Sequence, residues 1–445
     1  LGIYDGFGYR RLEELVDESN KLGFDIGFSK NIDVLRNKVM LGSELLHNSL
    51  AIHPMEGCDS LDDGSPSELT KRRYERFSKS GAGLIWFEAT AVTKSGRANP
   101  RQLYISEKNL ESFKRLSDEI KERTLKSNDG IFSPLLIMQI THSGRYSRPS
   151  GKPEPVIAFH DPYLDKKLNI PADQPHITDD ELKVLEDRFV KAADLAEKAG
   201  FDGVDVKSCH RYLLSELLAA HTRDGRYGGD FEGRTAFLRN VTAKIMSQAS
   251  RSFFVTSRIN IYDGIPFPYG FGVNKDDHHV FDPQEPVRLV RGLHETGMKL
   301  INLTMGNPYY NPHINRPFEK GNYEHPEHPL AGVDRLVNGI GEVQKAVPHI
   351  AVVGTGYSYT REFAPYLAAG SIIEGKAKII GFGREAFAYP GFARDILEYG
   401  VMKKEKCCIA CGKCSELMRM GSVTGCVIRD EVFRKIYREL KEVRK

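Results

Sequence analysis

A repeated alternation of short apolar runs with longer amphipathic stretches constrains this chain more than any other feature. The apolar runs fall at residues 49–53, 84–92, 134–141, 204–207, 253–261, 300–304, 350–353 and 377–382. Most are continuous in Val, Ile, Leu and Phe, so neither face of the strand is set aside for water, as in a parallel sheet covered on both sides. Helical patterns follow most of them. One begins at Thr178-Asp-Asp-Glu181, a capping box, carries Leu182, Leu185, Phe189, Ala193 and Ala196 on one face, and stops at Gly200. Strand–helix units of this kind, repeated eight times, predict an α/β fold, a (β/α)8 TIM barrel with inserted loops. An open doubly wound sheet is the alternative.

Three segments are expected. Residues 1–43 read as a helical N-terminal extension with Leu12, Leu15, Val16 and Leu22 at helical spacing. Residues 44–400 hold the barrel, and residues 401–445 form a cysteine-rich C-terminal segment. Basic and acidic residues nearly cancel, 63 against 60, which gives no support for nucleic acid or an anionic membrane as the main partner. No run is long and apolar enough for a membrane span and no signal pattern opens the sequence, so a soluble cytoplasmic protein is expected.

Polar residues collect where the strands end, which in a barrel is the catalytic face. The first strand ends in Pro54-Met55-Glu56-Gly57, the second contains Glu88, and the third ends in Gln139, His142 and Arg145. The fourth ends in Lys207, His210 and Tyr212, three side chains able to donate a proton or hydrogen bond. Alone, these three could equally be a strand cap with a snorkelling Lys and a half-buried Tyr. The fifth carries Arg258, the seventh ends in Gly354-Thr-Gly356, and the eighth in Gly383-Arg384. Glycine-rich ends on the last two strands, with an Arg entering a helix, suit a phosphate cradle.

Cys408-Ile-Ala-Cys411-Gly-Lys-Cys414, followed by Cys426, supplies four thiolates. They could make a tetrahedral zinc site. The Cys-x2-Cys-x2-Cys spacing with a distant fourth Cys is closer to an iron–sulfur pattern. Cys407 reads as a spare neighbour.

Taken in order, Pro54-Met55, Gly81-Ala-Gly-Leu-Ile with Glu88, Gln139-Ile-Thr-His142-Ser-Gly-Arg145, Ala199-Gly-Phe-Asp-Gly-Val204, Tyr227-Gly-Gly229, Gly381-Phe-Gly-Arg384 and the cysteine run resemble one family. It is the Old Yellow Enzyme-like NADH:flavin oxidoreductases, in the iron–sulfur branch with 2,4-dienoyl-CoA reductase and trimethylamine dehydrogenase. The resemblance implies FMN over the barrel mouth, with main chain at Pro54, Met55 and Glu56 along its edge and Ala89 nearby. Gln139 would bond the pyrimidine side, Arg258 would face N1 and O2, and Gly356, Gly383 and Arg384 would hold the phosphate. It also implies a [4Fe–4S] cluster on Cys408, Cys411, Cys414 and Cys426. The sequence departs at Val427-Ile-Arg-Asp, where relatives commonly carry Asn-Pro.

The activity implied is reduction of an activated C=C bond in an unsaturated carbonyl or carboxylate, with hydride from FMN N5 and a proton from Tyr212. His210 and Lys207 would hold the substrate oxygen. Relatives place a His–Asn or His–His pair where this chain has Lys207 and His210, so Lys207 points to an acidic or electron-withdrawing substrate, or to a carboxylate partner such as Asp205. The alternative is an amine dehydrogenase or demethylase that passes electrons through the cluster to an acceptor. Non-redox and electron-carrier readings rank lower. The C-terminal nucleotide-binding domains of those relatives are not expected here, since no Gly-x-Gly-x-x-Gly follows a strand and the sequence ends at Lys445. NADH or NADPH would then dock on the flavin, or a partner protein would deliver electrons through the cluster. The loop Tyr309–Arg316 is expected to overhang the pocket, with His313 and Arg316 as candidate contacts to an acidic group.

Overall fold

The computed structural model describes residues 6–319 and 326–443. Residues 1–5 and 444–445, inside the two expected terminal segments, lie outside the described residues.

The chain enters through one α-helix, Leu12–Lys21, and a short 3-10 turn, Ile32–Arg36. The rest of the expected helical extension is instead the start of a hairpin, β1 (Val39–Leu41) and β2 (Glu44–Leu46). Its two-residue Gly42-Ser43 turn, with Gly42 at φ +69°, is a glycine-first tight turn that the search for helical spacing missed. Leu41 and Leu46 from the hairpin pack with Ala51, Leu84, Trp86, Ile137, Leu300 and Val353 and plug the bottom of the barrel.

The barrel strands are β3 (Leu50–Ile52), β4 (Leu84–Ala91), β5 (Leu135–Thr141), β6 (Gly203–Val206), β7 (Phe254–Thr256), β8 (Arg258–Asn260), β9 (Leu300–Thr304), β10 (Ala351–Gly354) and β11 (Ile379–Phe382). All pair in parallel, in the order β7-β6-β5-β4-β3-β11-β10-β9-β8. The two ends of that order, β7 and β8, are halves of the expected fifth strand, so the sheet closes on itself as a (β/α)8 barrel. The break falls at Ser257. Its hydroxyl donates to the Val206 carbonyl at 2.7 Å, while its own carbonyl accepts from Asn302 N at 3.0 Å. The kink thus turns one strand from the β6 edge to the β9 edge.

Helices cover the outside. Thr178 caps Asp179–Lys198 reciprocally with Glu181, as expected. Glu68–Ser78, boxed by Ser67 and Thr70, went unrecognised because charged residues crowd its pattern; one of them, Arg73, is buried. The expected loop over residues 148–176 contains a short helix, Pro162–Leu168, capped by Asp161. Inside the barrel the lining changes from apolar at the hairpin end to polar at the strand C-termini. There His53 meets Asn302 Nδ2 at 3.1 Å and Thr355 Oγ1 at 3.0 Å. The polar mouth is where a site can form.

Candidate active site

Strand β6 ends at Val206, Lys207 follows it, and the chain then turns through two residues in the left-handed region, His210 (φ +64°) and Arg211 (φ +57°). Each such non-glycine residue costs on the order of 1–2 kcal/mol. Arg211 holds the turn in place. Its guanidinium donates to Asp161 at 2.7 Å and Asp263 at 3.1 Å, and all three side chains are sealed from solvent. The locked turn aims the residues on either side of Arg211. The His210 Nε2 is buried with no hydrogen-bond partner. Burial, then the charges of Arg258 and Lys207, hold its imidazole well below the usual histidine range, so it is neutral at pH 7.

The Tyr212 hydroxyl lies 3.1 Å from the Tyr309 hydroxyl. The Tyr146 ring lies 4.3 Å from that of Tyr309 and 5.9 Å from that of Tyr212, and its hydroxyl accepts from Asn307 Nδ2 at 2.8 Å. Burial keeps the Tyr212 phenol well above its usual range, so it holds its proton. Lys207 Nζ sits 3.9 Å from the centre of the Tyr212 ring and 3.3 Å from Glu56 Oε1. Its carboxylate partner is therefore Glu56, not Asp205. Asp205 points into the barrel, where it accepts from Trp86 Nε1 at 2.9 Å, Gln139 Nε2 at 2.6 Å and Arg258 N at 2.6 Å. It fixes two of the residues expected to face the flavin.

The chain after β3, from Pro54 to Gly57, is held from below. Glu88 accepts from Gly57 N at 2.7 Å and from Arg73, which also binds Asp59. Gly57 is required there: a Cβ would sit 2.0 Å from Arg73 Nη1. Ala89 is buried on β4. His142 and Arg145, singled out in sequence, are structural. His142 Nδ1 accepts from Gly144 N at 3.1 Å, and Arg145 is sealed between Glu216 and Asp165.

Three guanidiniums at the mouth have no carboxylate within 4.0 Å among the described residues: Arg258, Arg316 and Arg384. The Nε of Arg258, the Nε of Arg316 and the Nη1 of Arg384 are buried and unpartnered. Arg258 is buried and the other two are half-buried; a buried guanidinium nitrogen without a partner is costly, so these positions fit an anionic ring edge and a phosphate. Gly383 directly precedes Arg384, and Gly356 follows β10, the strand paired with β11. A Cβ on Gly383 would approach Met55 Sδ to 3.0 Å, and Gly356 adopts φ +116°. The charge of Arg316 reaches His210 at the pocket, where it helps to depress the imidazole, and Arg316 is itself shifted by its surroundings. Burial, then neighbouring Arg384, brings it down to about 10, with Cys414 and Cys408 acting in the opposite sense. It therefore lies between the pocket and the cysteine end.

Cys407, Cys408, Cys411, Cys414 and Cys426 all line one pocket, together with Arg384 and Phe387. Among the described residues no three of their sulfurs lie within 4.8 Å of one another. A single zinc ion with 2.3 Å bonds would draw tetrahedral sulfurs to about 3.8 Å apart. Four sulfurs around a wider space fit a cluster better than one ion. Cys407 is buried and donates to the Lys403 carbonyl at 3.4 Å.

Residues 37–280 match the NADH:flavin oxidoreductase / NADH oxidase family. The chain belongs to that family. It is an oxidoreductase of flavin type, and its barrel carries the polar mouth that a flavin needs. An NADPH dehydrogenase from Clostridium acetobutylicum is 33% identical over 200 residues, 44% of this chain and 55% of that protein. A metal reductase from Desulforamulus reducens is 24% identical over 410 residues, covering 91% of this chain and 54% of that protein. The chain spans about half the length of these two relatives. In fold, it resembles a 2-naphthoyl-CoA reductase complexed with 2-naphthoyl-CoA (TM-score 0.72, 18% identity, 91% of this chain and 58% of that one). It also resembles histamine dehydrogenase from Rhizobium sp. 4-9 (TM-score 0.70, 19% identity, 91% and 53%). No helix among the described residues is long and apolar enough to cross a membrane.

Nothing local in the sequence marks Arg211, Asp161, Asp263, Trp86 or Tyr146 as part of the site. The positive-φ pair, a His-Arg turn between strand and helix, is too weak a signal to read without the fold.

Proposed function

We propose that this protein uses FMN and a [4Fe–4S] cluster to reduce the C=C bond of an activated alkene. The pairing of the Tyr212 and Tyr309 hydroxyls, with Tyr212 two residues along the chain from a neutral His210, carries this reading. FMN, held by main chain at Pro54, Met55 and Glu56 beside Ala89, by Gln139 and Arg258, and at its phosphate by Gly356, Gly383 and Arg384, would supply hydride chemistry, and a cluster on Cys408, Cys411, Cys414 and Cys426 would supply electrons. Two electrons and two protons convert the double bond to a single bond.

His210 Nε2 binds the substrate carbonyl oxygen and stabilises the charge that develops there. Tyr212 gives its proton to the α-carbon as general acid. The phenolate left behind is stabilised by a hydrogen bond from Tyr309 and by the Lys207 ammonium over its ring. Electrons come from NADH or NADPH docked at the site, or from a partner protein through the cluster.

The amine dehydrogenase reading needs an aromatic cage open to an alkylammonium. Tyr146, Tyr212 and Tyr309 form such a wall, but Lys207 already occupies the face of Tyr212. This favours the alkene. The test is anaerobic turnover of unsaturated ketones, esters and acids with reduced viologen, alongside tertiary amines with an oxidised dye. Tyr212→Phe should lower alkene turnover about 100-fold or more at unchanged flavin content. Unchanged turnover, or turnover of amines alone, would overturn the proposal.

A further inference from the structure

We infer that Glu56 is a specificity residue: by pairing with Lys207 it turns the pocket away from free carboxylates and towards neutral activated alkenes. The inference rests on the proposed alkene reduction and concerns the substrate class of the same site.

A Lys at the barrel mouth first reads as a receptor for an acid. The structure removes that role. Lys207 is 4% exposed and its ammonium is engaged on two sides, by Glu56 Oε1 at 3.3 Å and by the Tyr212 ring at 3.9 Å. Glu56 is the more open partner, at 19%, so its carboxylate faces whatever enters. Of the remaining cations, Arg258 is buried and Arg316 and Arg384 are half-buried, each with one buried nitrogen that has no partner, and these suit a phosphate and a ring edge. His210 is neutral. A substrate carboxylate brought to Lys207 would lie beside Glu56, two like charges in a site of reduced polarity. A ketone, aldehyde, ester or thioester carries no such charge. One ammonium proton and His210 Nε2 remain for its carbonyl oxygen.

The reasoning also says what removing Glu56 does. Glu56→Gln keeps the shape, frees the Lys207 charge and should make a carboxylate welcome. Lys207→Met leaves Glu56 unpaired and should repel acids further.

The experiment uses the flavin- and iron-loaded protein. Binding of benzoate and of methyl benzoate is titrated through the flavin absorbance change, and turnover of cinnamate and methyl cinnamate is followed with reduced viologen. The wild type should bind the ester at least about tenfold more tightly than the acid, and Glu56→Gln should reduce or reverse that ratio by about tenfold or more. A gain for the acid cannot arise from misfolding. Flavin content and the cluster absorbance check that the variant is loaded. Equal or tighter binding of the acid by the wild type, no binding of the ester, or no change of ratio in Glu56→Gln overturns the inference. If the binding ratios hold while neither cinnamate is reduced, the alkene reaction fails and the role of Glu56 stands.

Discussion

Replacing Asp205 with Asn should loosen the interior of the barrel and the residues proposed to face the flavin together. The Asp205 carboxylate receives Trp86 Nε1 at 2.9 Å, Gln139 Nε2 at 2.6 Å and the backbone N–H of Arg258 at 2.6 Å, and it is fully buried. Asp205→Asn preserves volume but exchanges one acceptor oxygen for an NH2 that faces donors. Two donors share one oxygen, Oδ2, and the third uses the other. Whichever way the amide is turned, at least one donor loses its partner. A hydrogen bond to a charged group contributes about 1.5–3 kcal/mol, and a buried donor left unpaired costs about 1–3 kcal/mol. The variant should therefore lose about 2–4 kcal/mol of stability.

The assay is direct, because Trp86 is the chain's one tryptophan and reports on the bond that changes. Urea unfolding followed by Trp86 fluorescence should show a lower midpoint. FMN should bind about tenfold more weakly, equivalent to about 1.4 kcal/mol, since Gln139 loses its fixed orientation. An Asp205→Asn protein with the wild-type midpoint and wild-type FMN affinity would refute the claim that this carboxylate organises the mouth.

Other outcomes follow from the same contacts. Cys411→Ser should strip the cluster absorbance, whereas Cys407→Ser should keep it, because the Cys407 thiol faces the Lys403 carbonyl; absorbance and iron content of anaerobic protein decide. Burial lowers His142 to about 4 and keeps His53 and His210 well below the usual range. These imidazoles stay neutral in the fold and take up protons on unfolding, so their stability contribution is full above the unfolded pKa and declines as pH falls. Each should remove about 1 kcal/mol between about pH 7 and about pH 5.5, and a flat urea midpoint over that window would contradict the burial. Thr178→Ala, which deletes the capping box on Asp179–Lys198, should cost about 1 kcal/mol, with Thr178→Ser recovering most of it in the same unfolding assay.

The barrel was legible because continuous apolar runs are a strong sign of strands covered on both faces, and all eight runs became barrel strands. The kink at Ser257 was not legible. It depends on a hydroxyl reaching Val206 across the sheet, which no local pattern encodes. The hairpin below the barrel carried a turn signal, Gly42-Ser43, that a search for helical spacing overlooked. At the site, Lys207, His210 and Tyr212 were readable by position, since polar residues at the end of an apolar strand are conspicuous. Their partners were not. Glu56 lies 151 residues from Lys207, whereas Asp205 is only two residues away and is the carboxylate that the sequence offers. Adjacent residues of a strand point to opposite faces and alternate ones to the same face, but that rule ends where the strand ends. Asp205 is inside β6 and turns into the barrel, while Lys207 lies just beyond it.

The loop after β9 joins the two ends of the site. Near its start, Tyr309 meets the Tyr212 hydroxyl and Asn307 holds Tyr146. Towards its end, the Pro317 carbonyl accepts from Arg384 Nη2 at 3.2 Å, and Glu319 N donates to the Ala410 carbonyl at 3.3 Å, inside the cysteine run. Arg316 lies between, near Arg384, Cys408 and Cys414. One segment therefore touches the proposed proton donor, the proposed phosphate site and the cysteine pocket. Its core is braced by Asn311, whose amide donates to the Asp263 carbonyl at 2.8 Å, and Asp263 in turn binds Arg211. The strained turn that aims His210 and Tyr212 thus shares a support with the loop that reaches the cysteines. Both ends of the loop are thus tied by hydrogen bonds to one set of supports, the arrangement that the proposed proton donor and the proposed cluster would need of a common scaffold.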